Sequence, residues 1–389
     1  MRLMSNGMKK ALVVFGSVII CALLAVTVYF IPILRGECYK VPDYLKPIAG
    51  SQGYRIWSGD ILKSFDHKNR PVCVPQGWEA VGAIETGAGW AKFETNLTGV
   101  LIRSDAFTLQ SIQPKHSIYR VDILYPVTTT ESSIQRYVAI IENAFNRTGK
   151  LFNDAPKEQR VPHVVLITAG LAGNADEDAT HVYPDPSARV SAFVRTSDSL
   201  RGEELFIHAV MHLYNRHQNG ALPYQKLQSP FTEEDWQEVE ATWAETAFTT
   251  SAEQSGRIVY LYGVHTALRT GNFSLIKEAP FNNQKAFEKI RQSVIVAPGS
   301  PNLDYQYGHY VLAPLSMLAV DGMLQESRAG TGVEKILTDI HAGKASNFFD
   351  ELQKTLSKED VQRARGWFEG RETIPTSVIN LVVASYKSQ

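Results

Sequence analysis

Hydrophobic and polar positions change rhythm three times along this chain. Residues 11–34, ALVVFGSVIICALLAVTVYFIPIL, form an uninterrupted uncharged run. As a helix it would reach about 36 Å at ~1.5 Å per residue, which predicts one full membrane crossing. From Cys38 to about Ser117 the pattern is short, punctuated by Gly and Pro and locally alternating, as in WAKFETNL and GVLIRS, and predicts a small β-rich region. Beyond a boundary near residue 118 the apolar runs lengthen. YRVDILYP (Tyr119 to Pro126) reads as a strand, and Ile134, Val138, Ile141 and Phe145 follow at helical spacing. VPHVVLITA and VSAFV read as two further buried strands.

After VSAFV the rhythm turns helical. Ser199 is a cap candidate for a helix carrying LRGEELFIHAVMHLYNRH, with Glu203 and Glu204 in the first turn where acidic groups favour the helix dipole. The loop NGALPYQKLQSP separates it from a second helical pattern, TEEDWQEVEATWAETAFTT, and the chain to about residue 370 reads as mainly helical. Strands followed by helices predict an α+β fold. The expected organisation is residues 1–36 as a cytoplasmic tip and transmembrane signal anchor, 37–118 as a β-rich region, and 119–389 as one domain with a short sheet and a mainly helical half.

Composition changes this picture in two places. With 44% hydrophobic and 20% charged residues, the chain has enough apolar material for a real core. Its net charge of −1 hides an asymmetry, because residues 1–36 hold Arg2, Lys9, Lys10 and Arg35 and no acid, which leaves 35 basic against 40 acidic side chains beyond them. That mildly acidic remainder argues against nucleic acid as a partner. The basic residues ahead of the apolar run favour an N-terminus inside and a single-pass protein whose large domain is extracytoplasmic. Cys38 and Cys73, the two cysteines after the apolar run, could pair in an oxidising compartment or stand as separate buried thiols.

The candidate chemistry sits in HAVMH, residues 208–212. His208 and His212 are four apart on an expected helix, so both imidazoles project from one face and can grip one ion. A zinc site with three protein ligands needs a third donor from another element. Glu245, in ATWAETAF on the next helix, is the first choice, with Glu238 and Glu240 as second choices. His217 lies beyond the pair and reads as a helix-end residue placed for the C-terminal dipole. A phosphate-binding loop is excluded because AGTGVEK lacks a G-K-[ST] ending, and a serine-hydrolase elbow because G-x-S-x-G is missing.

With HAVMH followed by Trp243-Ala244-Glu245-Thr246-Ala247, the sequence resembles the gluzincin metallopeptidases, the aminopeptidase-N-like and glycyl-aminopeptidase-like enzymes among them. That group carries H-E-x-x-H on one helix and the third ligand on the next. The resemblance implies zinc held by His208, His212 and Glu245 and a peptide or protein as substrate. YQYGHYVLAPLSML is similar to the Y-x-K-G helix start of the aminopeptidase type, so the resemblance gives Tyr305 the role of stabilising the oxyanion. Tyr307 replaces the usual lysine there, and Pro314 is expected to kink the helix. The G-x-M-E-N stretch that holds a substrate's free amine in aminopeptidase-N-like enzymes does not occur between residues 160 and 200, so exopeptidase action has no support.

Ala209 stands where the group has its general base. A methyl group accepts no proton, and loss of a general base costs about 10² to 10⁴ in rate. Glu204, one turn earlier, reads as a solvated or supporting group. Two functional expectations follow: a membrane-anchored zinc metallopeptidase whose sequence carries an inactivating Glu→Ala change, natural or introduced, or a pseudopeptidase serving as a membrane-anchored peptide- or protein-binding module.

Overall fold

The computed structural model describes residues 38, 49–50, 54–57, 71–92 except 82 and 84, 99–153, 161–167, 190–194, 201–217, 233–249, 251–272, 307–327 and 331–387 except 346. The expected membrane-spanning helix is corrected by it. Among the described residues no helix is long and apolar enough to cross a membrane. The run over residues 11–34, on which the signal anchor and the single-pass extracytoplasmic placement rested, lies outside the described residues. The α+β character stands without that element.

Contacts divide the chain into two units, residues 1–107 and 108–389. The first is built of short strands. β1 (Ala49–Gly50), β2 (Tyr54–Trp57), β4 (Trp78–Val81) and β7 (Gly99–Arg103) form an antiparallel sheet in the order β1-β2-β7-β4. β3 (Val72–Cys73), β5 (Glu85–Gly87) and β6 (Trp90–Lys92) form a second sheet in the order β3-β6-β5. The two residues between β5 and β6 turn the chain with Gly89 at φ 77°, a conformation that glycine adopts without a Cβ penalty. Cys38 and Cys73 are disulfide-bonded with Cα atoms 4.8 Å apart, tying residue 38 to β3.

The second unit opens with a sheet that holds the three strands expected from the apolar runs and a fourth from the segment expected in the β-rich region. β8 (Phe107–Ile112), β9 (Tyr119–Pro126), β10 (Val161–Ile167) and β11 (Val190–Val194) lie in the order β11-β10-β9-β8. β9 and β10 pair in parallel, Val161 opposite Tyr119 through Leu166 opposite Leu124. A parallel pair needs a crossover, and α1 (Glu131–Leu151) supplies it between them. The hydroxyl of Thr130 caps α1 by accepting from the Ser133 amide, and its apolar positions Ile134, Tyr137, Ile141 and Phe145 are buried. β10 and β11 also pair in parallel, with an irregularity between Val164 and Val165.

The helical half follows. α2 (Arg201–His217) and α3 (Glu233–Ala247) pack along one another, and α4 (Ser251–Thr270) packs on α3. Phe206, Ile207, Val210, Met211, Leu213 and Tyr214 of α2 enter the same core as the α1 stripe, so the sheet, α1 and α2 share one apolar interior. A five-residue π-helical turn (Gly308–Leu312) leads directly into α5 (Ala313–Glu326), whose Leu315, Met317, Leu318 and Val320 are all buried. α6 (Val333–His341), α7 (Phe348–Gln353), α8 (Lys358–Phe368) and α9 (Thr376–Lys387) complete the unit. Pro314 stands at the start of α5, directly after the π-helical turn.

Candidate metal centre

α2 brings His208 and His212 to one face because four residues advance a helix by slightly more than one turn. Their Nε2 atoms face each other at 2.9 Å. The facing helix α3 runs so that Glu238 meets both rings: Oε2 lies 3.4 Å from His208 Nε2, and Oε1 lies 3.3 Å from His212 Nε2. Donor atoms of these three residues all fall within 4.8 Å of one another.

Glu245, two helical turns after Glu238, reaches the other side of the same imidazole, with Oε1 2.7 Å from His208 Nδ1. Its second oxygen pairs with Arg257 Nη2 of α4. The other guanidinium arm, Nη1, lies 2.5 Å from Glu204 of α2. One arginine thus joins α2, α3 and α4 behind the histidines, and all three side chains are largely withdrawn from solvent.

The electrostatics follow from this enclosure. Burial by itself lowers the pKa of His208, but the carboxylates of Glu238 and Glu245 outweigh it and raise it to about 9. Burial likewise raises the Glu238 carboxyl, and hydrogen bonding with His208 and then His212 outweighs it, holding the group well below the usual carboxylate range. The cluster calls for positive charge between its donors.

A divalent cation fits that demand. A tetrahedral ion with N and O ligands at ~2.0–2.1 Å holds its donors about 3.3–3.4 Å apart, against the 2.9, 3.3 and 3.4 Å separations here. With both imidazoles deprotonated, as metal ligation requires, three carboxylates (Glu204, Glu238, Glu245) and one guanidinium (Arg257) sum to a charge that a dication cancels. Glu238 is the carboxylate placed to join both Nε2 atoms. Glu245 is placed to hold the His208 ring through Nδ1, the arrangement that leaves Nε2 for a metal.

The remaining sequence candidates separate. Glu240 is fully buried away from this cluster, its Oε2 3.2 Å from His341 Nε2 of α6. Ala209 is 4% exposed on α2, and Glu204 is engaged by Arg257. His217 ends α2. Tyr305 lies outside the described residues. The tyrosine found at the cluster is Tyr310, whose hydroxyl donates to Glu238 Oε2 at 3.1 Å and whose ring lies 26° from parallel to His208, centroids 6.5 Å apart. Sequence reasoning passed over Tyr310 and Arg257. The tyrosine-rich run YQYGHY was a signal for the first, whereas nothing in the spacing of Arg257 marked it.

No protein-family model and no curated protein sequence matches this chain. Among solved structures it is similar to an aminopeptidase N family protein from Idiomarina loihiensis, with 11% identity and a TM-score of 0.49 over 85% of this chain and 61% of that one. It is also similar to an M1 zinc metallopeptidase from Deinococcus radiodurans, with 15% identity and a TM-score of 0.44 over 86% of this chain and 74% of that one. The chain therefore spans about three-fifths of the length of the Idiomarina protein.

Proposed function

We propose that this chain is a zinc-metallopeptidase-like protein that takes a peptide or protein segment against a centre formed by His208, His212 and Glu238, and that Ala209 leaves it with little or no hydrolysis. The observation that carries this reading is the convergence of two facing Nε2 atoms and one carboxylate at separations of 2.9 to 3.4 Å. When bound, zinc supplies Lewis-acid polarisation of a peptide carbonyl and makes water acidic enough to attack near neutral pH.

The residues divide the remaining work. His208 and His212 present nitrogen donors from one helix face, and Glu238 closes the third corner. Glu245 orients His208 through Nδ1, with Arg257 compensating its charge. The position beside His208, where the resemblance places the group that removes a proton from the attacking water, holds Ala209. Ala209 cannot accept that proton, and Glu204, one turn earlier on α2, is paired with Arg257. That pairing favours a second reading for the chain as written, a peptide- or protein-binding module on the same framework.

The test begins with zinc content per chain of the purified protein beside a His208→Ala control. About one zinc per chain, lost in the control, supports the centre, and zinc-free protein overturns it. Ala209→Glu then separates the readings. Peptide hydrolysis raised by about 10² to 10⁴ and abolished by a chelator identifies a peptidase lacking its base. Peptide binding with no cleavage in that variant identifies the binding module.

A further inference from the structure

The two oxygens of Glu238 are almost equivalent towards the histidines, 3.3 Å from His212 Nε2 and 3.4 Å from His208 Nε2. Nothing in the histidine geometry decides whether the carboxylate would grip a cation through one oxygen or through both. The difference matters, because a second carboxylate oxygen fills the position that a catalytic or ligand-binding zinc site keeps open. One contact distinguishes the two oxygens: the Tyr310 hydroxyl donates to Oε2 at 3.1 Å.

That contact has a traceable cause in the chain. In an α-helix the amide of residue 314 would donate to the carbonyl of Tyr310. Residue 314 is proline, which has no N–H and whose ring crowds the carbonyl four residues back. The chain accommodates it by widening one turn. Residues 308–312 are π-helical, and the Ala313 amide donates to the Gly308 carbonyl, five residues back. Single π-turns of this kind are rare and concentrate at functional sites. Here the widened turn presents Tyr310 to α3 and the histidine face of α2, while its neighbour Tyr307 turns into a separate buried contact, its hydroxyl 2.9 Å from His265 Nδ1.

We infer that Tyr310 is a positioning residue for the third metal ligand: its hydroxyl, presented by the Pro314-induced π-turn, engages Oε2 of Glu238 and biases the carboxylate to meet a cation through Oε1. This rests on the reading of His208, His212 and Glu238 as a metal centre. The near-parallel Tyr310 ring against His208 holds the hydroxyl in place, and a hydrogen bond to an ionised carboxylate is of the stronger, charge-assisted class. A partner of a ligating carboxylate contributes about 10- to 100-fold to metal affinity.

The experiment uses the full chain loaded with cobalt(II), whose visible absorption band weakens as coordination number rises. Tyr310→Phe keeps the ring and deletes the hydroxyl. The expected result is a cobalt(II) affinity lower by about tenfold or more, together with a weaker visible band as Oε2 joins the metal. In a Glu238→Ala background the same substitution should change neither quantity. Pro314→Ala restores the missing amide and should reproduce the weaker band with the hydroxyl still in the chain. Tyr307→Phe, which removes a hydroxyl from the same turn, should leave both readouts unchanged. Unchanged affinity and band in both Tyr310→Phe and Pro314→Ala overturn the inference alone. No cobalt uptake by the unmodified protein overturns the metal centre and this inference with it.

Discussion

Glu245 Oε1 stands 2.7 Å from Nδ1 of His208, on the side of the ring away from the Nε2 that faces His212 and Glu238. A carboxylate on Nδ1 fixes the imidazole's tautomer and orientation and makes Nε2 a better donor to a metal. Glu245→Gln keeps the shape and removes the charge. It should weaken zinc affinity by about 10- to 100-fold without abolishing binding, as measured by competition with a chromophoric chelator. Complete loss of binding would instead mark Glu245 as a ligand.

Arg257 bridges Glu204 and Glu245, and both carboxylates are largely buried. Removing one partner from a buried ionic cluster leaves charge without compensation and costs about 3–5 kcal/mol. Arg257→Met should therefore lower the unfolding free energy of the metal-free protein by that order, as read from urea unfolding. Arg257→Lys should recover only part of the loss, because one ammonium cannot match a planar fork held between two carboxylates.

The contrast between Glu238 and Glu245 shows how far the sequence could be read. Periodicity sufficed for β9, α1, β10 and the two helices of the centre, because each has an apolar stripe or run of its own. It also sufficed to pair His208 with His212, since that spacing lies within one helix. Glu238 and Glu245 are seven residues apart, two turns on one face of α3, and local pattern makes them equivalent. What distinguishes them is how α3 slides along α2, and no intrahelical spacing encodes that register. The same holds for Tyr310: its approach to Glu238 depends on one widened turn, and Pro314 read alone predicts a kink.

His163 on β10 is fully buried between the rings of Tyr119 and Phe145, with centroids 5.5 and 5.4 Å away, and burial lowers its pKa to about 3. His265 is lowered to about 4, by burial and then by the charge of Arg269. The unfolded chain protonates these histidines near pH 6.5 and the folded chain resists until the lower values, so between them the unfolded state binds more protons. Stability should therefore fall as pH drops below about 6.5, by about 1.4 kcal/mol per pH unit for each histidine. Urea unfolding of chelator-treated protein at a series of pH values from 7 to 4.5 checks this. His163→Leu should flatten the slope by one histidine's share.

Gly149 lies in the last turn of α1, where helix propensity alone favours alanine over glycine by about 1 kcal/mol. The structure reverses that preference. A Cβ at residue 149 would fall 1.7 Å from the carbonyl oxygen of His116 and 3.1 Å from the Tyr214 hydroxyl. The first of these is backbone, held where the His116 amide donates to Asn146 Oδ1 at 3.0 Å, so it cannot yield as the end of a flexible side chain would. The second belongs to a buried pair, with Ser117 Oγ 2.7 Å from that hydroxyl. Gly149→Ala must push α1 away from the segment entering β9, and overpacking of this kind costs about 1–3 kcal/mol. Thermal unfolding should show a lower midpoint for the variant. A raised midpoint would mean that α1 does not pack as closely on residue 116 as the structure places it.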